Sequence, residues 1–163
     1  MQSLKRCALV VALVLFLPAI ALTQADPKKM EAGLAAHVAV PAATVTFGPI
    51  DVPGFDPGMK IAAIHGDPNA ESGFYVVRLA FPAGYKFPPH WHPMTENVTV
   101  LEGELWLGMG DKRDESKLTG YKPGSFLFIP GKMAHFGGAK GATIIQLHGQ
   151  APFKIELANP PAK

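Results

Sequence analysis

From Val45 onward, apolar and polar residues change places over short intervals, and glycine or proline punctuates nearly every change. The clearest run is FYVVRLAF (residues 74–81), aromatic and β-branched, closed by PAG, which reads as a strand. TVTFGPI and MKIAAIHG flank the Pro/Gly segment DVPGFDPG. YKFPPHWH, ENVTVLEG, ELWLGMG, GSFLFIPG, MAHFGGAKG, ATIIQLHG and FKIELAN continue the same texture. No segment sustains a helical apolar period, and none repeats at a solenoid length. Many short strands joined by turns predict an antiparallel sandwich or barrel, one domain over residues 45–157 with a tail at 158–163.

Alternation along each strand assigns faces. In FYVVRLAF, Tyr75, Val77, Leu79 and Phe81 share one face and Phe74, Val76 and Arg78 the other, so Arg78 is expected outside with its stem on the sheet. Phe126 and Phe128 share a face and are expected to line the barrel. In ATIIQLHG, Gln146 and His148 share one face and Ile145 and Leu147 the other. If the first pair looks inward, Gln146 and His148 are candidate catalytic residues that bond substrate or move protons. If the second does, His148 is solvated or meets another subunit. The mixed-charge segment GDKRDESK reads as a solvated hairpin tip, and His37 and His65 as surface residues.

The amino terminus is of another kind. MQSLKR is basic, CALVVALVLFLPAIAL is apolar apart from Pro18, and TQA ends on Ala25 before the polar DPKK. This order predicts a signal peptide over residues 1–25, cut after Ala25 or else after Ala21, and hence a periplasmic or secreted protein without a stable membrane anchor. The alternative, an uncleaved anchor, has a short apolar run with a proline near its end. Residues 26–44 are an Ala-rich leader, for which a short helix at KKMEAGLAAHV and a mobile segment fit equally.

Cleavage changes the charge balance. Lys5 and Arg6 leave, so Lys+Arg falls from 15 to 13 against 13 Asp+Glu. The excess of +2 disappears, and with it any electrostatic case for nucleic-acid binding. Cys7 also leaves, so the mature chain has no disulfide and no thiolate ligand. A metal would have to be held by imidazole and carboxylate.

PPHWHPMTEN (residues 88–97) offers such groups. His90 and His92 stand at i and i+2, which on an extended backbone places both on one face, with Trp91 on the other. Pro93 marks a bend, after which Glu96 opens the next strand and can return its carboxylate to the same face. Two imidazoles and a carboxylate make a facial set for a divalent metal. Taken alone, a His-x-His pair is more often a solvated surface pair.

The surrounding residues extend the pattern. Gly84 lies six residues before His90 and Gly103 seven after Glu96, so that GYKFPPHWHPMTENVTVLEG resembles the first motif of the cupin family. GSFLFIPGKMAHFGGA resembles the second motif, with Gly124, Pro130 and His135 in register. Lys132 stands where that motif has glycine, with Gly131 beside it as a candidate for the turn, and Ala139 stands where asparagine is common. The resemblance covers roughly residues 57–157. It implies an all-β, cupin-type jelly-roll β-barrel (a double-stranded β-helix) and adds His135 to His90, His92 and Glu96 as a fourth metal ligand. That set suits one divalent transition metal, Mn, Fe, Ni, Cu or Zn. It also implies a small-molecule ligand, dioxygenase, decarboxylase or isomerase chemistry, and a homodimer. A non-catalytic binding or sensing module and a metal-tied structural barrel fit the same ligands, because fold and metal set do not fix chemistry.

Overall fold

The structure is a computed structural model that describes residues 37–160. The expected signal peptide, residues 26–36 of the leader and the last three residues lie outside the described residues. Eleven strands are present among those described: β1 (Gly48–Pro49), β2 (Lys60–His65), β3 (Phe74–Phe81), β4 (Lys86–Trp91), β5 (Glu96–Glu102), β6 (Leu105–Met109), β7 (Thr119–Tyr121), β8 (Phe126–Ile129), β9 (His135–Ala139), β10 (Thr143–Gln150) and β11 (Glu156–Leu157). Among the described residues helix is confined to two short 3₁₀ turns, Ala42–Thr44 and Glu115–Lys117. The strands form two antiparallel sheets, β1-β2-β3-β10-β5-β8 and β11-β4-β9-β6-β7. The chain alternates between them, which is the jelly-roll arrangement.

The inner faces meet in one apolar core. Tyr75, Val77, Leu79 and Phe81 of β3 alternate with outward residues, and Ile145 and Leu147 of β10 face inward opposite Leu79 and Val77. Leu105 and Leu107 answer them from the second sheet. Val77 and Leu147 are almost wholly buried, and burying side chains of that size stabilises the fold by about 2 kcal/mol each.

Alternation was misassigned in β8. Phe126 and Phe128 do not line the barrel: they are 58% and 63% exposed, while Leu127 and Ile129 point inward. Size alone favours burying the phenylalanines. Register decides otherwise, because β8 pairs with β5 so that Leu127 and Ile129 lie opposite Val98 and Glu96 on the inner face. Pro88 and Pro89 lie within β4. The β4–β9 ladder shifts register between Phe87 and His90, and this bulge accommodates residues that have no N–H to donate.

Two turns also depart from the sequence reading. Gly131 does not supply the left-handed residue of the second motif. Lys132 adopts it, at φ 66°, and its N–H donates to the His92 carbonyl at 2.7 Å. Gly131 is instead needed for proximity, since a Cβ there would meet the Pro93 carbonyl. The segment GDKRDESK is not simply a solvated tip. Asp114 caps the Glu115–Lys117 turn, and Arg113 folds back across Phe136, 5.8 Å from its ring centre. The Arg113 guanidinium donates to the carbonyls of Phe87 and Gly137 at 3.3 and 3.0 Å, bridging β4 and β9.

Left-handed backbone costs a residue with a side chain about 1 kcal/mol, and the exposed Lys132 side chain gives nothing back through burial. Lys132→Gly is therefore expected to stabilise the protein by up to about 1 kcal/mol, read from the urea unfolding midpoint at unchanged m-value. A lower midpoint would show that the Lys132 side chain contributes more than its backbone strain removes.

Candidate metal centre

The strand ends assemble the site. His90 lies near the end of β4 and His135 opens β9, and the two are ladder partners. His92 follows β4, the chain bends through residues 93–95, and Glu96 opens β5 in the other sheet. The bulge in β4 lets both Phe87 and His90 point inward although they are three residues apart. Gly84 and Gly103, which frame the first motif, have φ of 76° and 74°, a conformation that disfavours any other residue. They turn the chain into β4 and out of β5.

His90, His92, Glu96 and His135 are all buried, between 2% and 6% exposed. The three histidines each offer a ring nitrogen within 4.8 Å of the other two. One Glu96 carboxylate oxygen (Oε2) lies 3.6 Å from His92 Nε2 and 3.5 Å from His135 Nε2. Trp91, between the two motif histidines, is outside the cavity.

Each imidazole is oriented from behind. His90 Nδ1 meets the Pro88 carbonyl at 2.8 Å, His92 Nδ1 the Lys154 carbonyl at 2.8 Å, and His135 Nδ1 the Met133 carbonyl at 3.1 Å. A carbonyl only accepts, so each Nδ1 carries the proton and each Nε2 presents a lone pair. Burial reinforces the neutral form. It is the largest cause lowering the pKa of all three histidines, with His135 adding to the effect on His90. Burial also raises the Glu96 carboxyl, against a smaller lowering by His135. His92 Nε2 is buried with no hydrogen-bond partner. Several electron-rich atoms thus face one another in an apolar shell, a set that a divalent cation would satisfy.

The cavity beside these groups encloses about 530 Å³ of non-atom space, counting its open mouth. Two residues at the mouth have no counterpart in either motif. Phe153 stacks on His92, with ring centres 4.9 Å apart and planes at 18°, and Phe55 sets its edge against His90 at 5.0 Å. Phe55 comes from the irregular segment before β2, and Phe153 opens FKIELAN, which reads as a strand but pairs with β4 only at Glu156 and Leu157. Phe153 is held there by its N–H, which donates to the Pro68 carbonyl at 2.7 Å.

The other candidates lie elsewhere. Gln146 and His148 face away from the barrel, because Ile145 and Leu147 occupy the inner face of β10. They are removed from the catalytic candidates. Gln146 accepts a hydrogen bond from Arg78 Nε at 3.2 Å, and the His148 ring lies 6.0 Å from Phe74 and 6.4 Å from Phe126. Arg78 is likewise outside.

Residues 77–147 match the family model described as a cupin domain. Among curated proteins, germin-like protein 2-3 of Oryza sativa subsp. japonica is 33% identical over 94 residues, 53% of this chain. The match takes in only 42% of that relative's length. Among solved structures, the polyketide cyclase RemF of Streptomyces resistomycificus superposes with a TM-score of 0.60 at 20% identity, over 75% of this chain and 85% of that one. A cupin 2 conserved barrel domain protein of Rhodopseudomonas palustris superposes at 0.55 and 16% identity, over 69% and 77%. At those identities the superpositions speak for the fold. With the family match over residues 77–147, the two-sheet barrel and the inward histidines, they show a cupin-type fold for this chain.

Proposed function

We propose that His90, His92, His135 and Glu96 hold one divalent transition metal and that the barrel binds a small molecule beside it, as a metal-dependent oxidoreductase of the dioxygenase type. The observation that carries this reading is the ring of three inward Nε2 lone pairs, each fixed by a backbone carbonyl, with the Glu96 carboxylate alongside. Bound there, a redox-active metal would supply oxygen chemistry and polarise a ligand oxygen. The chain's own residues hold the site dry and orient the ligand. Beyond the four named groups the described residues that line the cavity are apolar, so the lining offers no separate general acid or base. Isomerisation by proton transfer would call for one. Chemistry centred on the metal does not.

That same bare lining supports a second reading, a non-catalytic module that binds or senses a small molecule. The basic, apolar and small-residue order of residues 1–25 supports export to the periplasm or beyond. Exposure of Phe74, Phe126 and Phe128 on one outer sheet face supports a homodimer.

Purified protein is expected to bind about one equivalent of Fe(II), Cu(II) or Zn(II), measured by elemental analysis after dialysis against a weak chelator. His90→Ala/His92→Ala is expected to weaken binding by about 100-fold or more, since half the donor set is gone. Equal metal retention by wild type and double variant would sink the proposed site. Oxygen uptake with the metal-loaded protein and a panel of catechols, flavonols and 1,3-diketones then separates enzyme from binding module.

Protons compete for the same lone pairs. The His90 pKa is lowered from 6.5 to about 2, chiefly by burial. The unfolded chain therefore takes up that proton first, and stability falls as pH drops from 6.5 toward 2. Glu96 has the opposite sign: its raised carboxyl loses stability as pH rises from 4.5, and it offsets part of the histidine effect. Metal-free protein is expected to lose about 1.5 kcal/mol through His90 alone between pH 6.5 and 5.0. Urea unfolding at the two pH values measures this, and His90→Gln should flatten the slope. An unchanged slope would contradict the assignment.

A further inference from the structure

Arg113 stands between β6 and β7, outside the cavity and outside both motifs. Two of its three guanidinium nitrogens are committed. Nε donates to Glu115 Oε1 at 2.7 Å, and Nη1 donates to the carbonyls of Phe87 and Gly137 at 3.3 and 3.0 Å. The guanidinium carbon lies 5.8 Å from the centre of the Phe136 ring. That ring is fully buried, and Gly108 makes room for it, since a Cβ there would meet the ring at 2.7 Å.

These contacts fall at one place in the β4–β9 ladder. Phe87 and Gly137 are partners, and the next pair across the register shift is His90 and His135. Between the two pairs β4 carries Pro88 and Pro89, and β9 carries Phe136 alone. Neither proline has an N–H, so β4 donates nothing to β9 across that interval. A backbone carbonyl has two lone pairs and can accept from the guanidinium as well as from the ladder. Arg113 therefore fastens the two strands from outside, at the edge of the interval where β4 donors are missing. The orientation of the Phe87–Pro88 peptide passes directly to the Pro88 carbonyl, which accepts from His90 Nδ1 at 2.8 Å. On the other strand Phe136 adjoins His135.

We infer that Arg113 is a positioning residue for the metal centre. By clamping β4 to β9 behind their bulge it fixes the His90 and His135 rings, whose centres lie 4.3 Å apart with planes at 59°. This role rests on the metal site proposed above and adds to it a residue outside the cavity. A guanidinium suits the task, since its charge is met by Glu115 while its plane lies near an aromatic ring and its N–H groups reach main chain. The Arg113 side chain is only 25% exposed, whereas the nearby Lys86–Glu115 pair is 64% and 60% exposed and adds little.

The test uses the purified full chain loaded with Co(II), whose visible bands report ligand number and angle, with affinity measured by competition against a chelator. Arg113→Met keeps an apolar stem beside Phe136 and removes both donations. It is expected to weaken Co(II) binding about tenfold, the low end for groups that orient metal ligands, and to shift the visible bands. Arg113→Lys restores a donor, and a single nitrogen already serves both carbonyls, so it should recover about threefold of that loss and return the bands toward wild type. Glu115→Ala, at an exposed position, releases Nε and should move affinity and bands in the same direction by about threefold, and it answers the question should Arg113→Met not fold. Val100→Ala, in the core part of β5, should lower the urea midpoint with Co(II) affinity and bands unchanged. If the Arg113→Met and Glu115→Ala proteins match wild type in affinity and bands, or if Val100→Ala reproduces their changes, the positioning role is overturned and the metal site stands. Wild type that binds no metal overturns both.

Discussion

Three hydrogen bonds from histidine to backbone carbonyl are the constraint on which the site depends. They place the proton of each imidazole on the atom that faces the wall and the lone pair on the atom that faces its neighbours. The accepting carbonyls belong to three separate stretches of chain: Pro88 in β4, Met133 before β9, and Lys154 after β10. All three stretches must be in place for the donors to converge. The barrel is in this sense the outer support of the centre.

The same arrangement explains why the site sits where two sheets meet. His90 and His135 come from one sheet as ladder partners, whereas Glu96 opens a strand of the other. The bend at residues 92–95 joins them, and it is itself tied down by the Lys132 N–H on the His92 carbonyl. Lys132 accepts left-handed backbone to make that bond. Strain in the second motif thus supports a ligand of the first, a coupling between segments some forty residues apart in sequence.

Among the described residues, charged side chains other than Glu96 are kept out of the interior. Arg78, Gln146 and His148 occupy outward positions of β3 and β10, and Arg113 covers Phe136 on the back of the other sheet. An ion paired outside loses less hydration than one paired in the core. The result is a cavity in which the histidines and Glu96 are the polar features and aromatic rings make much of the wall.

Much of this could be read before any coordinates. Strand texture and Gly/Pro punctuation determined an all-β domain, because backbone propensity and turn chemistry act locally. The spacing of His90, His92 and Glu96 determined a candidate donor set, since two-residue periodicity and one proline bend are local geometry as well, and the match to a second motif brought in His135. Facing in β8 and β10 was not local. Leu127 lies inside and Phe126 outside because of the register with β5, and Gln146 lies outside because Ile145 and Leu147 fill the inner face. Phe55 and Phe153 reach the histidines from stretches outside the strand ladders, and the three carbonyls that orient the rings leave no trace in side-chain identity. The tertiary structure decided these points because each is a meeting of distant backbone segments, and pattern along one segment carries no information about the other.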